Sequence, residues 1–193
     1  TPGGSRTALT WTPDGRALVF VGRRGGVQQL YVRRLDAVAA SPLAGTEGAQ
    51  VPAVSADGQW VAFWANGAIR KVPLGGGPPV TDLAPGVAAP PRGLVWDARG
   101  GLFFGESGGV IRAVPPDGIP AAVTALRDGE RSHALPWPLP DGETLLYTVR
   151  KREYSWGDEE VVAQNVATGE RKVLVTDAAD ARYVPTGHLV FLR

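Results

Sequence analysis

The chain has 193 residues, 44% of them hydrophobic, with 26 glycines and 17 prolines, which is enough to bury a sizeable core but favours short strands and tight turns over long helices. Lys and Arg number 20 against 19 Asp and Glu, a formal net charge of +1, too balanced for nucleic acid to be a main partner. Cysteine is absent, which excludes disulfides, thiolate nucleophiles and thiolate zinc sites and is compatible with an oxidising compartment.

In chain order, residues 8–11 form a first short strand that leads into the turn Thr12-Pro13-Asp14-Gly15, followed by the apolar strand Ala17-Leu18-Val19-Phe20. A third strand, Gln29-Leu30-Tyr31-Val32-Arg33, and a fourth at Ser41-Pro42-Leu43 complete one unit. The same order then recurs. The turn Ser55-Ala56-Asp57-Gly58 precedes strands at 60–63, 68–72 and 79–83. A strand at 93–96 and the degenerate turn Asp97-Ala98-Arg99-Gly100 precede strands at 101–104, 110–114 and 122–126. Leu139-Pro140-Asp141-Gly142 precedes strands at 144–147, 161–166 and 171–175, and Val184-Pro185-Thr186-Gly187 precedes 188–191.

Setting Asp14, Asp57, Arg99, Asp141 and Thr186 in register gives spacings of 43, 42, 42 and 45 residues. A fixed period in this range marks a four-stranded propeller blade. The expected fold is all-β, a β-propeller of four-stranded antiparallel blades at about 5–48, 49–90, 91–130, 131–181 and an incomplete 182–193, one domain over residues 1–193. Four to five blades leave ring closure open: part of a six- or seven-bladed ring, a five-bladed ring with a thin last blade, or copies associating through open ends. With no methionine, even at position 1, the chain is expected to begin inside a longer gene product.

The turn aspartates are expected to be scaffold, because Pro presets φ, Asp accepts hydrogen bonds from nearby amides and Gly accepts positive φ. Trp11, Trp96 and Tyr183, each three residues before a turn anchor, read as core. Trp60 belongs to a repeated strand position, whereas Trp64 and Trp137 fit packing between blades or lining a channel.

The runs Trp11 to Phe20, Gln29 to Asp36 and Pro42 to Gly48 resemble the TolB-type, WD-repeat-like propeller repeat of bacteria. More narrowly, Gly129 to His133 and Asp180 to Val190 resemble the propeller region that follows the kinase domain and membrane segment of bacterial serine/threonine protein kinases. The resemblance implies a non-catalytic sensor or protein-binding module on the extracytoplasmic side, periplasmic or cell-surface. It does not imply a kinase, since the glycine-rich loop, His-Arg-Asp and Asp-Phe-Gly motifs are absent. The alternatives are a propeller that gates a hydrolase or peptidase, and a structural propeller fragment without a ligand of its own.

Only two histidines occur, His133 and His188, and their spacing supports neither a metal site nor a triad. Asp158, Glu159 and Glu160 lack the pattern of a calcium loop and read as a solvated loop tip. No catalytic residue, metal or cofactor is expected. Connections between blades (45–50, 86–92, 127–133, 177–183) and between second and third strands (22–28, 64–68, 105–109, 150–160) are expected on one side, where recognition sites on β scaffolds concentrate. The candidate ligand-binding residues there are Arg92, Arg131, His133, Tyr154, Trp156 and Arg182. The arginines suit an anionic group or, alternatively, brace blades against Glu47, Glu130 or Asp180; Tyr154 and Trp156 beside charge suit a recognition loop. His133 is also suited to hydrogen bonding between blades. Expected partners are a protein or small-molecule ligand and self-association through open propeller ends, with no nucleic acid and no membrane insertion by this segment.

Overall fold

A computed structural model describes residues 8–77, 80–116, 118–151 and 158–193. The described residues form strands and turns only, and no helix is long and apolar enough to cross a membrane. The fold is an all-β propeller built from four-stranded antiparallel sheets, and the chain divides into two compact units, residues 1–96 and 97–193.

In the first unit, β1 (Leu9–Trp11), β2 (Ala17–Arg24), β3 (Val27–Arg34) and β4 (Ser41–Pro42) pair in sequence order. A second sheet repeats that order with β5 (Gln50–Val54), β6 (Trp60–Ala65), β7 (Ala68–Pro73) and β8 (Thr81–Pro85). The unit ends with β9 (Leu94–Trp96). Two-residue loops join the second and third strands: Gly25-Gly26 between the paired Arg24 and Val27, and Asn66-Gly67 between the paired Ala65 and Ala68. All four loop residues have positive φ, the type I′ geometry that matches strand twist. The two sheets bury Val19, Leu30, Leu43, Val61, Phe63 and Val72 in one cluster. Each fully buried aliphatic or aromatic side chain here contributes about 1.5–3 kcal/mol.

In the second unit, β10 (Leu102–Gly105), β11 (Ile111–Val114) and β12 (Ala121–Ala122) pair in succession. A complete sheet follows, β13 (Ser132–Pro138), β14 (Thr144–Arg150), β15 (Glu160–Asn165) and β16 (Arg171–Thr176), and then the pair β17 (Ala179–Val184) and β18 (His188–Leu192). Leu146, Val161, Ala178 and Ala181 form its core cluster, with Trp137, Val175 and Leu189 packed against it.

The anchor turns use their polar side chains on themselves. Asp14 Oδ1 accepts the Thr12 hydroxyl (2.6 Å) and the Arg16 amide (3.0 Å), and Asp57 Oδ1 does the same with Ser55 (2.5 Å) and Gln59 (3.0 Å). Asp141 Oδ1 takes the amides of Glu143 and Thr144 at 2.9 and 2.8 Å. In the degenerate third turn Asp97 does this work, accepting the Arg99 and Gly101 amides at 2.8 and 2.7 Å. The Arg99 guanidinium lies instead against Gly142 at the next turn.

Six residues before each of the last four anchors the backbone turns left-handed: Val51 (φ 52°), Gly93 (φ 96°), Leu135 (φ 55°) and Asp180 (φ 53°). In β5, β13 and β17 this position coincides with a shift of register against the second strand. The first strand of a repeat is thus bulged at a fixed place, which bends it and re-aims the residues on either side.

Candidate functional site

Within each unit, the connections expected on one side do meet. In the first, the Gly48 amide donates to Gln28 O (2.8 Å), Gln28 Nε2 donates to Ala49 O (3.0 Å), and the Trp64 indole N–H donates to Val87 O (2.7 Å). In the second, Gly129, Lys151, Asp158, Glu159, Glu160, Thr176 and Asp177 line a cleft of about 390 Å³. These residues come from the connection into the fourth repeat, the flanks of the long loop between β14 and β15, and the connection out of β16.

The cleft is rich in carboxylates, and strand ends hold them. Lys151 Nζ lies 2.7 Å from Glu160 Oε1, a contact that raises the lysine above its ordinary pKa. Arg150 Nε lies 3.8 Å from Glu159 Oε1. Glu159 is only 5% exposed, so the reading of 158–160 as a solvated tip is corrected: β15 begins at Glu160, and the Glu159 carbonyl accepts the Ala178 amide at 3.1 Å. Asp177, with φ 54°, turns the chain between β16 and β17.

Behind the Gly129 wall lies a buried polar network. Glu130 pairs with Arg171 of β16, their side chains 8% and 9% exposed. Glu130 Oε2 also accepts the Arg127 amide at 2.7 Å and lies 3.1 Å from His133 Nε2. Tyr147 donates its hydroxyl to Gln164 Oε1 (2.8 Å), Arg171 reaches the Tyr147 oxygen (3.3 Å), and Gln164 Nε2 donates to Val123 O (2.8 Å). Burial alone would raise the Glu130 carboxyl, but Arg171, the Arg127 amide and His133 together hold it below the ordinary value. Burial also lowers His133, against the pull of Glu130, and raises the Tyr147 phenol.

The sequence-derived candidates fall in different settings. His133 is fully buried, Nδ1 2.7 Å from Thr124 Oγ1 and its ring 4.8 Å from that of Tyr147. Arg131 is exposed, and its amide donates to Arg150 O at 2.7 Å. Arg182 is exposed on β17, Nε 3.3 Å from Asp180 Oδ1, with its guanidinium 5.4 Å from the Trp137 ring. Arg92 is half-buried in the first unit. Tyr154 and Trp156 lie outside the described residues. The structure therefore brings Arg131 and His133 to the connection that walls the cleft, whereas Arg182 is engaged beside Trp137.

Trp11 is a correction: it is 51% exposed, not core. Trp96, its counterpart, is half-buried because its indole N–H donates to Ala53 O of the preceding repeat at 3.0 Å. No preceding repeat receives Trp11 among the described residues. Tyr183 is likewise half-buried. Trp60 carries Lys71 Nζ 4.6 Å over its ring. Sequence reasoning missed the Glu130–Arg171–Tyr147–Gln164 network and the cleft carboxylates. The one available signal was the amide and charged side chains Gln164 and Arg171 inside the strands expected at 161–166 and 171–175. Among the described residues no group of three His, Cys, Asp or Glu side chains is arranged to hold a metal ion.

No protein-family model matches the chain, and no curated protein matches it in sequence. Solved structures match it in fold. TolB from Acinetobacter baumannii superposes with a TM-score of 0.73 at 18% identity, covering 93% of this chain and 46% of that one. A protein described as TolB from Agrobacterium tumefaciens gives 0.75 at 15% identity, covering 96% and 74%. The extracellular domain of a one-component system from B. thetaiotaomicron gives 0.66 at 11% identity, covering 99% and 26%. This chain spans about half the length of the A. baumannii protein. Its fold is that of the TolB-like β-propellers. Enzymes share that fold, oligogalacturonate lyase among them, so fold alone does not assign an activity.

Proposed function

We propose that this chain is a non-catalytic recognition module, a propeller that binds a protein or small-molecule ligand through the loops on one side. The observation that carries the reading is the cleft in the second unit: three connections from separate strands converge on Gly129, Lys151, Glu160, Thr176 and Asp177. Convergence of loops on a rigid β scaffold is how such folds hold ligands. Among the described residues, the turn aspartates and His133 are spent on architecture. The turn aspartates accept backbone amides, and His133 is enclosed with both ring nitrogens engaged. The Thr124 hydroxyl does lie against His133, but both are buried out of a substrate's reach.

Arg131, Arg182, Tyr154 and Trp156 belong to the same proposal as candidate ligand contacts, with Arg92 as the candidate in the first unit. A sensor role on the extracytoplasmic side, in a longer protein such as a membrane-bound serine/threonine kinase, fits the sequence resemblance. The extracellular domain of a one-component system that shares the fold supports it.

The test is a thermal-shift screen of metabolites and peptidoglycan fragments against wild type, Glu160→Gln, Asp177→Asn and the pair Tyr154→Ala/Trp156→Ala. A true ligand raises the wild-type melting temperature, and its effect shrinks in variants whose unliganded stability is unchanged. Equal responses in all variants, or hits that track lost stability, overturn the proposal.

A further inference from the structure

Thr124 and His133 meet where the third repeat hands over to the fourth, and their hydrogen bonds fix each other's protons. The Thr124 oxygen accepts the Ile111 amide at 2.9 Å, and the same hydroxyl lies 2.7 Å from His133 Nδ1. Thr46 does the same job in the first repeat: its oxygen accepts the Leu30 amide (3.0 Å) and its proton goes to Leu43 O (2.6 Å). The Glu130 carboxylate, paired with Arg171, can only accept, so His133 Nε2, 3.1 Å from Oε2, carries the proton and the Nδ1 of the neutral ring accepts from Thr124. The backbone adds a further tie, because the His133 amide donates to Gly109 O at 2.9 Å. A neutral imidazole in one tautomer therefore closes the whole joint.

A second proton has no comfortable place. On Nδ1 it would face the Thr124 hydroxyl proton, and turning that hydroxyl strips it of its acceptor in a fully buried position. The charged and titratable groups around the ring are Glu130 beside Nε2, Arg171 behind Glu130, Tyr147 against the ring face, and Arg127 at the start of the same connection. Glu130 favours the imidazolium, whereas Arg171 and the burial oppose it. The Glu130 carboxylate that His133 touches also closes the turn 127–130, since the Glu130 amide donates to Arg127 O at 3.0 Å while Oε2 takes the Arg127 amide. Gly129, within that turn, is a wall of the cleft.

We propose that the Thr124–His133–Glu130 joint is an acid-sensitive latch: proton uptake by His133 opens the 124–133 connection and removes the Gly129 wall of the cleft. The opening itself does not depend on any ligand; its consequence for binding rests on the recognition reading above. An extracellular module with this joint holds its cleft formed near neutral pH and loosens it in acid.

Hydrogen exchange resolved to residues 124–134, corrected for intrinsic rates, tests the latch without a ligand, so its failure is distinct from failure of the recognition reading. When the open form takes up a proton that the closed form does not, the opening constant rises about tenfold per pH unit below about 6.5. The expected result in wild type is a rise in the opening constant as pH falls below about 6.5, with a slope of at most about tenfold per unit. It should be absent in His133→Gln, which keeps a donor toward Glu130, and in His133→Asn, which keeps an acceptor toward Thr124. A flat wild-type profile overturns the latch, as does the same slope in both variants. Should the variants not fold, ring ¹⁵N shifts of wild-type His133 decide: the Nε2–H tautomer at pH 7 is required, and an Nδ1–H or doubly protonated ring refutes the proposal.

Discussion

Replacing Glu130 by Ala leaves the Arg171 guanidinium, 9% exposed, without its carboxylate, and also frees the Arg127 amide and His133 Nε2 from their acceptor. Breaking a buried pair from one side costs about 3–5 kcal/mol. The lower figure applies here, because Arg171 keeps the Tyr147 oxygen at 3.3 Å as a partner. About 3 kcal/mol corresponds to a fall of roughly 6–12 °C in Tm for a chain of this size. Arg171→Ala should cost less, since Glu130 retains the Arg127 amide. In a double-mutant cycle read by urea denaturation, the pair should be less destabilised than the sum of the single changes, with a coupling of at least about 1.5 kcal/mol. Single effects below about 1 kcal/mol, or additivity within about 0.5 kcal/mol, would refute the view that this network joins the connection 127–131 to β16.

Gly142→Ala should lower stability by about 1 kcal/mol, because Gly142 has φ 70° and an added Cβ would meet the Arg99 guanidinium at 2.6 Å; unchanged denaturation midpoints would contradict that packing. Trp96→Phe removes the indole bond to Ala53 O and should cost about 1–2 kcal/mol, whereas Trp11→Phe, at an exposed site, should change the midpoint little. Acid should weaken the fold in two stages. Burial depresses His133 in the folded state, so its contribution is complete above the unfolded value near 6.5 and is lost as pH falls, at no more than about 1.4 kcal/mol per pH unit. Hydrogen bonds hold Asp14, Asp57 and Asp141 below the ordinary carboxylate value, as Arg171 chiefly holds Glu130 against its burial; their contribution is lost below about pH 4.5. Urea midpoints measured across this range should show both stages in wild type and lose the first in His133→Gln.

The repeat was legible because Asp14-Gly15, Asp57-Gly58 and Asp141-Gly142 combine a side-chain acceptor with a glycine at positive φ. Only a few residue types provide that combination, so it leaves a mark in the sequence. The apolar strands after the Asp57 and Asp141 turns were legible for the same reason: Val61 to Phe63 and Leu145 to Tyr147 must be buried. The first-strand bulge was not, since Val51, Leu135 and Asp180 share no chemistry and only Gly93 carries the expected residue for its backbone. Trp11 read as core because its repeat position is shared with Trp96, yet burial there depends on a neighbouring repeat. The cleft was half legible: period placed its loops together, but Glu159 and Glu160 looked like any exposed acidic run. Their positions depend on where β15 begins, and pairing with β14 and β16 sets that.

Amide hydrogen exchange along the whole chain at neutral pH tests the repeat scaffold most directly. Protection should peak with the period of 42–45 residues, highest in β6, β7, β14 and β15 and low in the 3–4 connections such as 35–40 and 166–170. Protection that ignores the period, or that is strongest in those connections and absent from β6 and β14, would contradict a scaffold of like-built sheets carrying its recognition loops.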